Sequence, residues 1–538
     1  MLEKNYLNRT EFESYKDFKR NLKPVVPDGF SFAVDIVDKW AELEPDKLAL
    51  LYTDDEGTAL RFTFADISRL SKQCAAYFRS LGVKRGDRVM TLMRRRWEYW
   101  VIAVATNRIC ATLIPASIQL MEKDIVYRVE ASKCRLLIAL DDEFVRKQTA
   151  HLKEKCPGLI DVIIGGGEET PFNRGMMEAE PLEDTIPFDN AEEMLVYFTS
   201  GTTGMPKMVV HNRTYPIGHI VTAKYMQCVQ NNGLHLTQAD SGWAKFGWGN
   251  IYGQWICGSA ILGYDPVRFN AAHFLNTLET HRPTSLCVPP TIYRFLLREG
   301  MEKKHVESIK WFSTAGEPLA PEVNKELMDI SGHPIHEGFG QSEGTPITCT
   351  FPWLSVKPGS MGRPSPLYDV RLIDKEGNSV ERGDNGEVVM FVPEGEVPVG
   401  LMCGYDIDGR LVRNYTNIYH TGDIAYEDED GYYWYVGRQD DIIKCSGYRI
   451  GPFEIESIIN THPAVRESAV IGRPDEIRGQ VVCAVVALRD GFAPSDELTA
   501  EIKQHVKTNT APYKYPRIVE YLPELPKTTS GKIIRNVL

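Results

Sequence analysis

Tyr197-Phe-Thr-Ser-Gly-Thr-Thr-Gly-Met-Pro-Lys207 is the stretch on which the reading of this 538-residue chain turns. The apolar run Leu195 to Phe198 reads as a buried strand. It leads into a loop with hydroxyls at Thr199, Ser200, Thr202 and Thr203, small turn residues at Gly201 and Gly204, and a cation at Lys207. Glycine frees backbone amides to face a ligand. Together with hydroxyl donors and one ammonium, they suit the β and γ oxygens of a triphosphate. The Walker pattern Gly-x-x-x-x-Gly-Lys-Ser/Thr cannot be laid over these residues, so the loop is a phosphate cradle of another design.

Outward from this loop, short apolar stretches alternate with amphipathic segments. Strands are expected at Leu136 to Leu140, Asp161 to Ile164, Ser285 to Val288 and Lys310 to Ser313, with a helix over Ala272 to His281 before the third. That alternation predicts an α/β fold, a large N-terminal domain of parallel sheets covered by helices. After about residue 360 the texture becomes that of hairpins. Asp374-Lys-Glu-Gly-Asn378 separates Val370 to Ile373 from a later strand, Glu387 to Val392, which gives a small β-rich lobe. Beyond Gly431 to Ile443 a compact α+β pattern follows, with a helix at about Glu454 to Thr461. A domain boundary is expected near Asp440, dividing 1–439 from a small mobile C-terminal domain, 440–538.

Charge supports that division. The net charge is -12 overall, whereas Asp441 to Leu538 carries 13 basic against 12 acidic residues. An acidic surface repels nucleic acid and anionic membranes, so neither is an expected partner. The composition, 43% hydrophobic and 25% charged, is that of a soluble globular protein. No apolar run approaches the ~18 residues that span a bilayer. The eleven cysteines form no CxxC pair, and Glu11, Glu13 and Asp17 do not suit a transit peptide. The protein is expected to be cytoplasmic, as a monomer or homodimer.

Further blocks follow the phosphate loop in order: Ala315-Gly-Glu-Pro318, Glu337-Gly-Phe-Gly-Gln-Ser-Glu343, Tyr419-His-Thr-Gly-Asp423, Gly437-Arg-Gln-Asp-Asp441, Ser446-Gly-Tyr-Arg-Ile-Gly-Pro-Phe-Glu-Ile-Glu456 and Pro526-Lys-Thr-Thr-Ser-Gly-Lys532. With the loop, they resemble the acyl-adenylate-forming superfamily of acyl-CoA synthetases, luciferases and adenylation domains. Gly242-Trp-Ala-Lys245, Ile450-Gly-Pro-Phe453 and Ala511-Pro-Tyr-Lys-Tyr-Pro516 are similar to its medium-chain acyl-CoA synthetases. The resemblance implies an AMP-forming acid:CoA ligase with ATP, CoA, a small carboxylic acid and Mg²⁺ as its reaction partners.

It also implies roles. Carboxylate attack on the α-phosphorus of ATP sets anion against anion, so cations must converge there. Glu343 resembles the metal ligand, Ser342 a donor to the α-phosphate, and Lys532 the adenylation lysine. Gly316, Glu317 and Pro318, with Glu337, Gly338, Phe339, Gly340 and Gln341, would hold the adenine side. Asp423 and Arg438 would take the ribose, Arg449 a phosphate, and Gln119 a further nucleotide contact. Asp440 resembles the hinge about which the C-terminal domain swings between half-reactions. Ser446, Gly447 and Tyr448 would line the pantetheine tunnel, and Arg478, Lys507 and Tyr515 would meet the CoA nucleotide. The acyl pocket is expected among Trp243, Trp248, Ile251 and Gly340. Acetate-specific relatives carry tryptophan at the last of these, so glycine predicts a deeper pocket. The run Phe246-Gly-Trp-Gly-Asn-Ile-Tyr-Gly-Gln254 departs from the subfamily pattern and admits branched or aryl acids, with Asn250 available to a polar group.

Two other readings share parts of this pattern. Gly340-Gln-Ser-Glu-Gly344 satisfies the nucleophile elbow of serine hydrolases, which requires a helix directly afterwards, where Thr345-Pro-Ile-Thr-Cys-Thr is β-branched. A ligase loading a carrier protein would share every adenylation residue.

Overall fold

The structure, a computed structural model, describes the chain except residues 185, 200–204, 318, 446–447, 476–477, 511–513 and 528–532, and the side chains of 444, 448, 449 and 479. It divides into two compact units, Met1–Asp369 with Phe391–Asn417, and Val370–Met390 with Ile418–Leu538.

The first unit is built on two sheets. In the eight-stranded sheet, Asp161–Gly165, Leu136–Leu140, Arg88–Leu92, Thr112–Ala116 and Glu193–Thr199 run parallel. All five residues of Leu136–Leu140 and of Thr112–Ala116 are buried, as expected of strands covered on both faces. The helix Glu122–Ser132 turns Ile125, Val129 and Ser132 inward at four- and three-residue steps and ends on Lys133 in the left-handed region. Lys207–Asn212, Gly404–Ile407 and Arg410–Val412 extend the sheet antiparallel.

The nine-stranded sheet runs parallel through Ile335–Phe339, Trp311–Ala315, Ser285–Cys287, Leu234–Thr237, Ala260–Asp265 and Leu48–Asp54. The helix Ala271–His281 begins where Asn270 accepts the His273 amide and buries Phe274, Leu275, Thr277 and Leu278. Such a cap is worth about 1 kcal/mol, and truncating a fully buried leucine such as Leu278 to alanine about 2–5 kcal/mol. The helix Trp97–Arg108 is buried from Glu98 to Arg108 on every face, so apolar periodicity is absent from it.

The second unit has a four-stranded sheet, Asp369–Ile373, Gly386–Phe391, Ile418–Glu427 and Tyr433–Arg438. It also has a five-stranded sheet centred on Gly479–Leu488. Against the latter pack the helices Pro452–Asn460 and Asp496–Asn509 through Ile455, Ile459, Ile502 and Val506. The α/β sheets, the β-rich segment and the α+β C-terminal region are those expected. Among the described residues no helix is long and apolar enough to cross a membrane.

Candidate active site

The strands Glu193–Thr199 and Lys207–Asn212 on either side of the loop pair antiparallel. Thr199 pairs with Lys207 in register, so the two ends of the loop are fixed side by side. Tyr127 donates to the Pro206 carbonyl at 2.9 Å and pins its far side. Ser200, Gly201, Thr202, Thr203 and Gly204 lie outside the described residues.

The neighbouring strand brings in a residue that motif reading missed. Tyr405 sits opposite Val209. Its hydroxyl donates to Glu343 at 2.9 Å, and the Lys207 ammonium lies 5.3 Å from the centre of its ring. One tyrosine thus gathers the lysine of the phosphate hairpin and the carboxylate expected to hold a metal. The Glu343 carbonyl accepts the Met402 amide at 2.7 Å, which ties the same loop to the segment before Tyr405. The Asp408-Gly409 pair is a turn signal from which this hairpin could have been read; the ring's partners were not legible in the sequence.

Ser342 is held from the hairpin side too, because His211 Nε2 donates to its carbonyl at 2.8 Å. That bond leaves Nε2 protonated and Nδ1 bare. The next regular element after Ser342 is the strand Thr348–Cys349, not a helix, so the nucleophile-elbow geometry is missing.

Gly316 occupies the left-handed region at φ +97°, with open space where a side chain would be. The loop it opens is held at both ends. Lys245 donates to the Ala315 carbonyl at 2.6 Å, and Glu337 accepts the amides of Leu319 at 3.0 Å and Gly359 at 2.8 Å. Glu317 projects outward and accepts from Thr291 at 2.9 Å. Ala315 and Gly338 are cross-strand partners, while Phe339 and Gln341 continue the same chain segment. Pro318 lies outside the described residues. Gln119 is exposed, with its amide donating to Ser117. Ser117 in turn donates to Asp240, which accepts the amide of Gly242 at the head of the Gly242 to Lys245 run.

Burial pushes the Glu337 carboxyl up to about 8, against the pull of the Leu319 and Gly359 amides. A raised folded-state value means that the native protein binds a proton that the unfolded chain has released. Stability is therefore lost as pH rises towards 8. Between pH 6.5 and 8 this group should remove about 1.5 kcal/mol, and Glu337→Gln should flatten that fall in urea unfolding curves. Identical pH slopes for the two proteins would refute the assignment.

The acyl-pocket expectation needs a correction. Gly340 does not leave open depth. A methyl placed there would lie 2.3 Å from Cη2 of Trp248, so the indole already fills the space a larger residue would take. Asn250 is likewise engaged, donating to the Thr237 carbonyl at 3.1 Å. Trp243 precedes the helix Ala244–Asn250, which carries Trp248, and Ile251 follows it, buried. Of the four expected residues, the contacts join Trp248 and Gly340. Trp248→Ala, not the glycine, should therefore set the depth. It should raise kcat/KM for longer acids over shorter ones by about tenfold, the scale of one or two methylenes in an apolar pocket. An unchanged chain-length profile would move the pocket elsewhere.

In the second unit Asp423 and Arg438 face each other across two strands, paired at 3.0 Å. Tyr435 donates to the other carboxylate oxygen at 3.3 Å, and Arg438 also donates to the Thr421 carbonyl at 2.9 Å. The carboxylate expected to accept hydroxyls is thus oriented before any arrive. Asp440 is exposed in the turn Gln439–Asp441. Beside it Arg535 reaches Asp441 at 3.2 Å and Glu456 at 2.8 Å. Lys507 lies 4.3 Å above the Tyr515 ring, joined at 5.3 Å by Arg517, a cation that sequence reading did not single out. The Arg478 amide donates to Asp475 at 2.8 Å. Ser446, Gly447 and Lys532, with the side chains of Tyr448 and Arg449, lie outside the described residues.

The family model described as AMP-binding enzyme matches residues 37–405, and that of the AMP-binding enzyme C-terminal domain matches 454–532. The chain belongs to the AMP-binding enzyme family. The acyl-coenzyme A synthetase ACSM3, mitochondrial, of Mus musculus is 37% identical, covering 100% of this chain and 95% of that protein. The acyl-coenzyme A synthetase ACSM4, mitochondrial, of Homo sapiens is 36% identical over 99% and 93%. Among solved structures, the anthranilate CoA ligase AuaEII in complex with anthranoyl-AMP superposes with a TM-score of 0.85 at 26% identity, covering 95% of this chain and 97% of that one. A benzoate CoA ligase from Burkholderia xenovorans LB400 gives 0.82 at 26%, covering 94% and 99%. The relatives overturn the expected cytoplasmic location, since their names place them in mitochondria. Net charge and the acidic residues Glu11, Glu13 and Asp17 do not decide the compartment.

Proposed function

We propose that the chain is an AMP-forming acid:CoA ligase. It activates a carboxylic acid larger than acetate, medium-chain, branched or aromatic, as an acyl-adenylate and transfers the acyl group to CoA, releasing AMP and diphosphate. The observation that supports this best is the gathering of Lys207, at the end of the Ser/Thr/Gly-rich stretch, and Glu343 on Tyr405. Likeness over the whole chain to acyl-CoA synthetases supports it. Mitochondria are the compartment those relatives favour.

In this reading the 199–207 hairpin and Lys207 hold the β and γ phosphates, while Ser342 faces the α-phosphate. The held loop at Gly316 and Glu317 receives the adenine, and Asp423 and Arg438 the ribose hydroxyls. Glu343 offers a hard oxygen donor suited to Mg²⁺, oriented by the Tyr405 hydroxyl. When bound, Mg²⁺ would neutralise phosphate charge and polarise the reacting phosphoryl group. Lys532 supplies the ammonium for adenylation. Residues 440–538 then swing about Asp440, and Ser446, Gly447 and Tyr448 admit the thiol. The cations Lys507 and Arg517 on Tyr515 favour the anionic nucleotide of free CoA over a carrier protein.

The test is mass spectrometry of the CoA thioesters and AMP formed from a mixed panel of straight, branched and aromatic acids with magnesium and ATP. Acid-dependent AMP with a matching thioester is expected. AMP from no acid would sink the reading, and acyl transfer to a carrier protein in preference to CoA would redirect it.

A further inference from the structure

Arg88 opens the strand Arg88–Leu92 and places one guanidinium where three other elements meet. Its Nε and Nη2 donate to the two carboxylate oxygens of Glu193 at 2.6 and 2.7 Å. Nη2 also donates to Asp406 at 2.6 Å, and Nη1 to the Ser132 carbonyl at 2.9 Å. The group is sheltered, with side-chain exposures of 15% for Arg88 and 5% for Asp406. Solvent ions screen such a pair weakly, and a forked guanidinium fixes direction as well as distance.

Each of the three partners belongs to an element that reaches the candidate site. Glu193 begins the strand Glu193–Thr199, which leads into the phosphate loop. Ser132 closes the helix Glu122–Ser132, whose Tyr127 holds the Pro206 carbonyl beyond that loop. Asp406 directly follows Tyr405 in the strand Gly404–Ile407. Successive side chains of a strand point to opposite faces, so Asp406 is gripped on one face while Tyr405 is presented on the other. There the Tyr405 hydroxyl donates to Glu343 and its ring meets the Lys207 ammonium. Asp406 is held a second time, because its other carboxylate oxygen accepts the Gly409 amide at 2.8 Å. Asp408 and Gly409 both take positive φ, +52° and +79°, as a two-residue hairpin turn requires. A slip of one residue in this strand would turn Tyr405 away from Glu343, and both bonds to Asp406 oppose it.

We infer that Arg88, acting through Asp406 and Tyr405, is a positioning residue for the Glu343 carboxylate and so sets how much a bound magnesium ion strengthens nucleotide binding. The inference rests on the ligase reading in which Glu343 holds Mg²⁺, and adds to it a residue that no motif contains. Mg²⁺ demands near-octahedral geometry at short range, so a ligand that loses its orientation weakens the metal even where the fold survives.

The experiment measures, by calorimetry on the full chain, the Kd of the non-hydrolysable α,β-methylene analogue of ATP with Mg²⁺ and with EDTA. The ratio of the two is the gain due to the metal. Wild-type protein should show such a gain, and Glu343→Gln should lose most of it. Arg88→Lys keeps the charge but cannot fork between Glu193 and Asp406, so it should cut the gain by about threefold to tenfold. Asp406→Asn keeps an acceptor for the Gly409 amide and should cut it similarly, which carries the test if Arg88→Lys does not fold. In a Tyr405→Phe background neither substitution should cut the gain further, because the route to Glu343 is already broken. A clamp that serves stability alone would lower the thermal midpoint and leave the gain intact. A full gain in both variants, or the same loss with and without the Tyr405 hydroxyl, overturns the inference, and the metal reading still stands if Glu343→Gln has lost its gain. A full gain in Glu343→Gln refutes the metal reading and this inference with it.

Discussion

Lys532→Ala should abolish acid-dependent release of pyrophosphate, by about 10²–10³-fold or more, yet still convert a supplied acyl-adenylate to its thioester. Adenylation brings a carboxylate against a triphosphate, and an ammonium between them offsets charge that grows as the bond forms. Thioester formation starts after pyrophosphate has left, when the repulsion between carboxylate and triphosphate is gone and a side chain at that position would obstruct the thiol. The surrounding structure suits such a division. Lys527 pairs with Ile533, and the Ile534 amide donates to the Pro526 carbonyl at 2.9 Å, so the residues on either side of 528–532 are joined to each other. Equal loss of both half-reactions would refute the division of labour. Gly447→Leu should show the opposite pattern, with adenylate accumulating.

Glu343→Gln should lower kcat/KM by about 10²–10³-fold and move half-saturation by Mg²⁺ to higher concentration. Glutamine still accepts from Tyr405, so the loop should keep its place and the thermal midpoint should change little. What is lost is the negative charge that a divalent cation requires. Magnesium titrations of pyrophosphate release for both proteins check this. A loss of the same factor at every magnesium concentration, with an unshifted midpoint, would assign Glu343 to another task. Tyr405→Phe should show a weaker version of the same shift, because it removes orientation and leaves the charge.

These outcomes concern residues that motifs exposed, and the fold was legible by similar means. Leu136 to Leu140 was readable as a strand because both its faces are covered, so it is apolar without interruption. The helix before Ser285 was readable because Phe274 and Leu278 recur at helical spacing. Trp97–Arg108 offered no such period, being buried all round. At the site, glycine and hydroxyl residues in a row announced the hairpin at 199–207. Tyr405 meets Lys207 and Glu343 across stretches far apart in the chain, and no spacing rule connects it to them. Gly340 shows a different limit. Its lack of a side chain was plain, but the ring that occupies the vacated volume comes from residue 248, and only packing could reveal it. Expecting depth from an absent side chain assumed that nothing else would move in, whereas interiors are filled close to crystal density.

Arg535 stands three residues beyond Lys532, and its guanidinium clasps Asp441, the neighbour of Asp440, together with the buried Glu456. The last residues of the chain are therefore anchored beside the turn where a swing would originate. Lys527 and Ile533, which flank Lys532 in the sequence, are likewise bridged to each other. A substitution at Arg535 would therefore disturb the flank of Lys532 and the neighbour of Asp440 together.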